Sequence, residues 1–363
     1  MALRHTASSR EKEDLRAAAR DLGFLQVGFA PAQRPPRAEE YLAWLRAGHH
    51  GEMAWLARDD AAQRRLDPTL ALPDCRTVVV VSLSYAPGAQ PAPSPGTGQA
   101  RIARYAHGRD YHLEFEDRLN HLASELRERW PGAGARAYVD YGPVLERAHA
   151  QRAGLGWVGK NTMLIHPEHG SWILLGEVLT TVAIDPDPPF EADRCGTCVR
   201  CIDACPTGAI TAPRHLDSRL CISYLTIELR GSIPEALRAA IGNRVFGCDI
   251  CQEVCPWNDG VPVGDLAQLA SRWGGPVPAE TMVSWAEEIL DLSDEGFRAA
   301  YGQTALARPG RGGWLRNLCV GLGNVGDAGA VPVIMRCFDE ESSVVREHAA
   351  WALARLAETD ARL

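Results

Sequence analysis

Long apolar runs are scarce in this chain. The most apolar segment, "SWILLGEVLTTVAI", is interrupted by Glu177 and falls short of the roughly 18 residues that a membrane span needs. The first residues, "MALRHTASSREKEDLRAAAR", lack the basic-then-apolar order of an export signal, so a soluble, cytoplasmic protein is expected. Nor is there an excess of positive charge. With 38 Lys and Arg against 46 Asp and Glu, the formal net charge is −8, which gives no global attraction to nucleic acid or to an anionic membrane. No obvious heptad pattern signals a partner helix, so the chain is expected to act as a monomer.

What is present is an ordinary globular composition, 46% hydrophobic over 363 residues, enough for two or three domains with substantial cores. Ser8 with Glu11 predicts a capping box ahead of "EKEDLRAAARDLG", a helix stopped by Gly23. "FLQVGFA" and "RTVVVVSLSYA" read as buried strands, with helical patterns at "AEEYLAWLRAG" and "GEMAWLARDDAAQRRL" between them. The Pro/Gly/Ser-rich "PGAQPAPSPGTGQA" reads as a loop. Beyond it come a long amphipathic helix at "DYHLEFEDRLNHLASELRERW", the strand "ARAYVD", a helix at "PVLERAHAQRAG" and apolar strand at "WILLGEVLTTVAI". Strands alternating with helices predict an α/β domain over 1–190. A cysteine-rich unit over 191–260 and a helical part over 261–363 follow. In the last, "WLRNLCVGLGNVGD" and "SVVREHAAWALARLAE" form a weak repeat of about 30 residues, anchored by Arg316 and Arg346. Two copies are too few to stand alone, so this HEAT-like unit is expected to pack on the cysteine-rich one.

Eight of the eleven cysteines sit in metal-type spacing, which favours a reducing compartment over a disulfide framework. "CGTCVRCIDACP" is C-x2-C-x2-C-x3-C-P, the bacterial ferredoxin pattern for 4Fe–4S clusters, in which the fourth cysteine serves the other cluster of a pair. The second set is Cys221, Cys248, Cys251 and Cys255, the last again followed by a proline. Crossing the ligands assigns Cys195, Cys198, Cys201 and Cys255 to one cluster and Cys205, Cys221, Cys248 and Cys251 to the other. The alternative, two four-cysteine zinc sites, needs only C-x2-C pairs and leaves the longer run unexplained. Cys75, Cys319 and Cys337 read as buried thiols. Two clusters in contact form a one-electron wire, and a wire implies an end station.

Two G-x-G-x-x-G matches do not supply one. Gly154, Gly156 and Gly159 follow a helical segment where a phosphate loop needs a strand, and Gly321, Gly323 and Gly326 fall inside the helical repeat. Asp140 ends the strand "ARAYVD". It reads either as a turn or N-cap residue ahead of Pro143, or as a general acid at the mouth of the sheet. In "YAHGRDYH", Asp110 can cap the following helix, but Tyr105, His107, Arg109, Tyr111 and His112 exceed what a cap requires.

Taken together, "RYAHGRDYH", "VDYGPVLERAHAQRAGLGWVGKNTMLI", the ferredoxin run, "CISYLTIELRGSIP" and "FGCDICQEVCPWN" resemble the epoxyqueuosine reductases over nearly the whole chain. That resemblance implies a cobalamin-dependent, two-cluster oxidoreductase that removes the epoxide oxygen of epoxyqueuosine in the tRNA anticodon loop. It implies that cobalamin binds in the N-terminal α/β domain, that an external low-potential donor feeds the clusters, and that Asp140 is the proton donor. By the same likeness Arg65, Tyr105, Asp140, Lys160, Asn161, Thr162 and Ser223 are the expected cobalamin contacts. The D-x-H-x-x-G motif that gives some cobalamin enzymes a cobalt-binding histidine is missing, since Phe115 stands where glycine is required. His107 departs from the expected residue type in its motif. Arg308, Arg311 and Arg316 in "RPGRGGWLR" read either as a phosphate-contacting strip or as a solvated Gly/Arg loop.

Two other readings compete. A cobalamin-dependent reductive dehalogenase shares the cofactor logic, though such enzymes usually carry an export signal and lack a helical-repeat tail. A two-cluster electron-transfer protein leaves the first half of the chain without a task.

Overall fold

The computed structural model describes residues 5–86, 99–264 and 277–360. Residues 87–98, most of the expected Pro/Gly/Ser-rich loop, lie outside the described residues. Helix α1 (Ser9–Asp21) begins with the expected capping box: the Ser8 amide donates to Glu11 Oε2 at 2.7 Å, and the Glu11 amide donates to Ser8 Oγ at 3.3 Å. Strand β1 (Gln26–Pro31), helices α2 (Ala38–Arg46) and α3 (Asp59–Leu66), strands β2 (Thr77–Ser84) and β3 (Gln99–Ile102), and helix α4 (Tyr111–Arg129) follow. Strand β4 (Ala135–Val139), helix α5 (Glu146–Arg152), the short strands β5 (Trp157–Val158) and β6 (Leu164–Ile165), and strand β7 (Ile173–Thr180) complete this half.

The main sheet has the order β1-β2-β7-β4, and every neighbouring pair is antiparallel. Helices and strands do alternate along the chain, as the α/β expectation held, but the sheet is not the parallel one that such alternation usually builds. The apolar runs of β2 and β7 make them the two central strands, buried on both faces. One face packs on α4 through Phe115, Leu119, Leu122 and Leu126 against Phe29, Val79, Val81, Leu83 and Val178. Full burial of each such side chain contributes about 1.5–3 kcal/mol. Close approach here requires Gly176, because a Cβ there would lie 2.6 Å from Leu119 Cδ1. The opposite face carries Val78, Val80, Leu175 and Leu179 and is covered by Ala150 and Ala153 at the end of α5. Because the strands are antiparallel, the rule that ligands gather at the carboxyl ends of parallel strands does not position Asp140. Its turn does.

Within 191–260, two short helices, Arg200–Asp203 and Ile250–Glu253, each lie inside a cysteine run and pack on each other. The helical part follows with Ala279–Asp291, Asp294–Tyr301, Gly310–Val325, Val331–Arg336 and Ser343–Asp360. Helices Gly310–Val325 and Ser343–Asp360, which hold the two repeat copies, pack side by side. Their core, with Trp314, Leu315, Leu318, Leu322, Val345 and Ala349, continues into Ile227, Val245 and Phe246 of the cysteine-rich unit and into Ala100, Ile102 and Ala106. Strand β3 pairs in parallel with Arg244–Phe246 and antiparallel with Val277–Pro278. The three spans therefore interlock in space, with β3 tying the first half to the rest. No helix among the described residues is long and apolar enough to cross a membrane.

Candidate active site

After β4 the backbone of Asp140 takes φ 54°, a left-handed conformation that Asp tolerates better than most residues. This turn sends its side chain off the sheet. The Tyr111 hydroxyl donates to Asp140 Oδ2 at 2.8 Å, and His112 Nε2 lies 3.5 Å from the same oxygen. On its other side His112 Nδ1 meets Asp110 Oδ1 at 2.7 Å, while that same oxygen caps α4 by accepting from the His112 amide at 3.0 Å. The cap expected at Asp110 is thus present, and the extra polar groups of the motif face Asp140.

Burial alone would raise the Asp140 carboxyl, but hydrogen bonds from His112 and Tyr111, with the charges of His112 and Arg147, outweigh it and leave it lowered. Burial likewise opposes charge on His112, yet hydrogen bonds to Asp110 and Asp140 and their charges push the imidazole up to about 9. At neutral pH the proton of the pair rests on His112. The Asp140 side chain is 61% exposed, while its flanking ring Tyr111 is half-buried. The carboxylate therefore faces outward, and the space in front of it is the candidate substrate recess.

Two further carboxyls stand behind it. The Asp140 amide donates to Glu146 Oε1 at 2.8 Å. Glu177, in the middle of β7, is fully buried, and neither of its oxygens has a hydrogen-bond partner among the described residues. Burial, then the charges of Glu146 and Asp140, hold the Glu177 carboxyl well above its ordinary range. Neither glutamate was singled out in the sequence as a site residue. The signal was the interruption of an otherwise apolar strand by Glu177.

The eight thiols fall into two neighbouring groups. Burial first, then the charges of Cys195, Cys201 and Cys198, push the Cys255 thiol up to about 11. Cys251 is raised by burial and by Cys248 and Cys221, and Cys221 in turn by burial and by Cys205. Cys201 also acts on Cys251, which places the two groups side by side. Mutually repelling thiols need a cationic centre to become thiolates. Donors are already aimed at the sulfurs: Trp157 Nε1 at Cys195 Sγ (3.5 Å) and the Ala209 amide at Cys205 Sγ (3.3 Å). Among the described residues no three His, Cys, Asp or Glu side chains gather as the ligands of a single ion would. Two adjoining groups of four thiols, with N–H donors aimed at sulfur, fit a pair of clusters.

The remaining sequence candidates divide between the recess and the cysteine loops. Tyr105 stacks edge-on against Tyr111, with centroids 5.8 Å apart, and feels both Asp140 and Asp249, which lies between Cys248 and Cys251. It links the recess to the second thiol group. Arg65 is buried and donates to Gly142 O at 3.4 Å, bracing the turn after Asp140. Arg147 donates to the Thr162 carbonyl at 2.6 Å. Lys160 Nζ instead donates to Gly196 O (2.6 Å) and Cys198 O (3.0 Å), Asn161 Nδ2 to Cys251 O (3.3 Å), and Ser223 hydrogen-bonds the Cys221 thiol. His107 Nε2 pairs with Ile102 O at 3.2 Å within its own loop. The glycines of "GLGWVG" serve packing: a Cβ on Gly156 would meet Ile165 O at 2.2 Å.

The arginine segment, read in the sequence either as a phosphate-contacting strip or as a solvated Gly/Arg loop, has most of its charge engaged within the protein. Arg316 is fully buried and donates to Leu225 O, Leu229 O and Gly231 O, at 2.8, 2.7 and 2.9 Å. Arg311 is paired with Glu340 at 2.6 and 2.7 Å. Arg308 remains half-exposed, paired with Glu228 at 3.0 Å and lying 5.5 Å over the ring of Trp55.

The chain matches known proteins along most of its length. A family described as "4Fe-4S double cluster binding domain" matches residues 194–258, "Epoxyqueuosine reductase QueG, DUF1730" matches 65–141, and "Armadillo/beta-catenin-like repeat" matches 323–358. The epoxyqueuosine reductase of Pseudomonas aeruginosa is 41% identical over 352 residues, covering 94% of this chain and 93% of that protein. The Escherichia coli enzyme is 38% identical, covering 92% and 86%. A crystal structure of epoxyqueuosine reductase with an epoxyqueuosine-modified tRNA-Tyr stem loop superposes with a TM-score of 0.84 at 29% identity, covering 96% and 90%. That of the Bacillus subtilis enzyme, with its catalytic aspartate loop swung out of the active site, gives 0.81 at 30% identity over the same shares. With this identity sustained over nearly its whole length, the chain belongs to the epoxyqueuosine reductase family.

Proposed function

We propose that the chain reduces epoxyqueuosine to queuosine in the tRNA anticodon loop, with Asp140 delivering the proton to the epoxide oxygen. The observation that carries this reading is the Asp140 carboxylate, backed by a protonated His112 and open to a recess that Tyr105 connects to the second thiol group. A related enzyme whose catalytic aspartate rides on a swinging loop supports the same assignment for a residue on an exposed turn.

The thiolates of Cys195, Cys198, Cys201 and Cys255, and of Cys205, Cys221, Cys248 and Cys251, would each hold one 4Fe–4S cluster and pass single electrons from an external low-potential donor. Cobalamin, when bound in the N-terminal half, supplies the metal centre that delivers those electrons to the epoxide carbon. The side chains fit such a guest unevenly. Asp140, Tyr105 and Thr162 border the recess directly or through Arg147, and Arg65 fixes its wall, whereas Lys160, Asn161 and Ser223 hold the cluster loops. What the chain itself does is orient the oxygen, hold the proton on the His112–Asp140 pair and transfer it as the C–O bond opens.

Trp55 and Tyr141 are exposed aromatics, 40% and 63%, and Arg308 lies over Trp55 within electrostatic reach of Asp140. Exposed aromatics beside a cation suit unstacked bases of a single-stranded loop, which is how RNA is most often read. This local surface, rather than net charge, supports tRNA as substrate.

Anaerobic loading with iron, sulfide and cobalamin, followed by metal analysis and nucleoside mass spectrometry of the tRNA, tests the reading. About eight irons, one cobalt and conversion to queuosine are expected. Eight irons with no cobalt and no conversion would leave only an electron-transfer protein.

A further inference from the structure

Removing an epoxide oxygen as water breaks two C–O bonds and forms two O–H bonds. It consumes two electrons, which come from the external reductant through the clusters, and two protons. The His112–Asp140 pair holds one proton at a time, so it must be refilled while substrate occupies the recess. Building on the function proposed above, we infer that Glu146, backed by the buried carboxyl of Glu177, holds the second proton and releases it to the His112–Asp140 pair.

The geometry begins with α5, which starts immediately after the Asp140 turn. Glu146 in its first turn accepts the Asp140 amide on Oε1 at 2.8 Å, leaving its other oxygen to carry a proton. Glu177 pairs across the sheet with Tyr138, two residues before Asp140, and with Val80. It belongs to the face that α5 covers, between Leu175 and Leu179, where an apolar side chain would pack without penalty. Instead the fold keeps a fully buried carboxyl with no partner for either oxygen. His149, one turn beyond Glu146, is also fully buried with both ring nitrogens unpartnered. Each such group costs about 1–3 kcal/mol. Buried polar groups kept at this cost call for a use.

Electrostatics keeps the protons in place. The groups around the two glutamates are Asp140 in the turn after β4, Tyr138 from β4, Arg147 from α5, Arg65 from α3 and Tyr111 from α4, with His112 on the far side of Asp140. With Asp140 ionised, burial and its charge push Glu146 up to about 8, and burial with the charges of Glu146 and Asp140 holds Glu177 well above its ordinary range. Three neighbouring carboxyls cannot all ionise. Once the His112–Asp140 pair has given its proton to the oxygen, the Glu146 O–H bond breaks and its proton is taken up by that pair, where His112 holds it. That proton then passes on to release water. The charge left on Glu146 lies beside Arg147 until solvent protonates it again.

The test is Glu146→Gln, whose amide oxygen still accepts the Asp140 N–H, compared with Glu146→Asp and Glu177→Gln in the cofactor-loaded protein. In single turnover on epoxyqueuosine-containing tRNA, E146Q slows conversion on the order of ten- to a hundredfold. Its iron, cobalt and tRNA affinity stay at parental values, and the alkaline limb of the rate profile near pH 8 disappears; E146D restores that limb. Infrared spectra at pH 7 give a readout free of activity: the parent shows protonated carboxyl bands that E146Q and E177Q each diminish. Parental rate and alkaline limb in E146Q, or no such bands in the parent, would overturn the inference. Bands present in a parent that converts no substrate would overturn the proposed function and, with it, the delivery step.

Discussion

His112 Nε2 stands 3.5 Å from Asp140 Oδ2, with Asp110 holding the far side of the ring at 2.7 Å. An imidazole between two carboxylates gains from being charged. In the cofactor-free protein, NMR titration should show His112 protonated up to about pH 9. Because its folded value lies above the ordinary 6.5, its stabilising contribution is fully present below pH 6.5 and is lost as pH rises through about 9. Chemical denaturation of His112→Gln should lack this component of the pH dependence. An imidazole that titrates near 6.5 would contradict it.

Lys160 ties the first cysteine loop through two carbonyls, Gly196 O and Cys198 O. Hydrogen bonds to a charged donor contribute about 1.5–3 kcal/mol each. Lys160→Met should therefore loosen that loop, seen as faster bleaching of cluster absorbance in air and lower iron retention. Unchanged bleaching would show that the loop is held by other contacts.

Arg316 satisfies three main-chain carbonyls at the join between the helical and cysteine-rich parts. Arg316→Met leaves them without donors and should lower unfolding stability by about 3 kcal/mol or more. The salt dependence of tRNA binding should not change, since a buried guanidinium contacts no phosphate. A shallower salt slope would return Arg316 to the RNA surface.

The crossed ligand sets predict how iron is lost. Cys255→Ala should remove one cluster and leave about four irons, although residue 255 is distant in sequence from the run it completes. Cys205→Ala should likewise spare the cluster held by Cys195, Cys198, Cys201 and Cys255. A Cys255→Ala protein that keeps both clusters would overturn the crossing.

The parts legible in sequence were those set by local spacing. The capping box at Ser8 and Glu11, the cysteine runs and the apolar strands each depend on neighbours within a few residues. What escaped depended on distant contacts. Alternation of helices and strands does not reveal that β7 pairs antiparallel with both β2 and β4. Nothing local shows that Glu177 lies behind Glu146, or that Arg316 reaches carbonyls more than 80 residues away. For the same reason neither reading of the arginine segment, phosphate strip or solvated loop, describes it: its charges are answered by Glu228, Glu340 and the Leu225–Gly231 backbone, all remote in sequence.

The central claim is that Asp140 protonates the epoxide oxygen, and single-turnover conversion by cofactor-loaded Asp140→Asn measures it most directly. Asparagine keeps the size of the side chain and removes its acid. The account predicts parental iron, cobalt and tRNA binding, with queuosine formation slowed by about 10²–10⁴-fold. Conversion at the parental rate would contradict it and place the proton donor elsewhere in the recess.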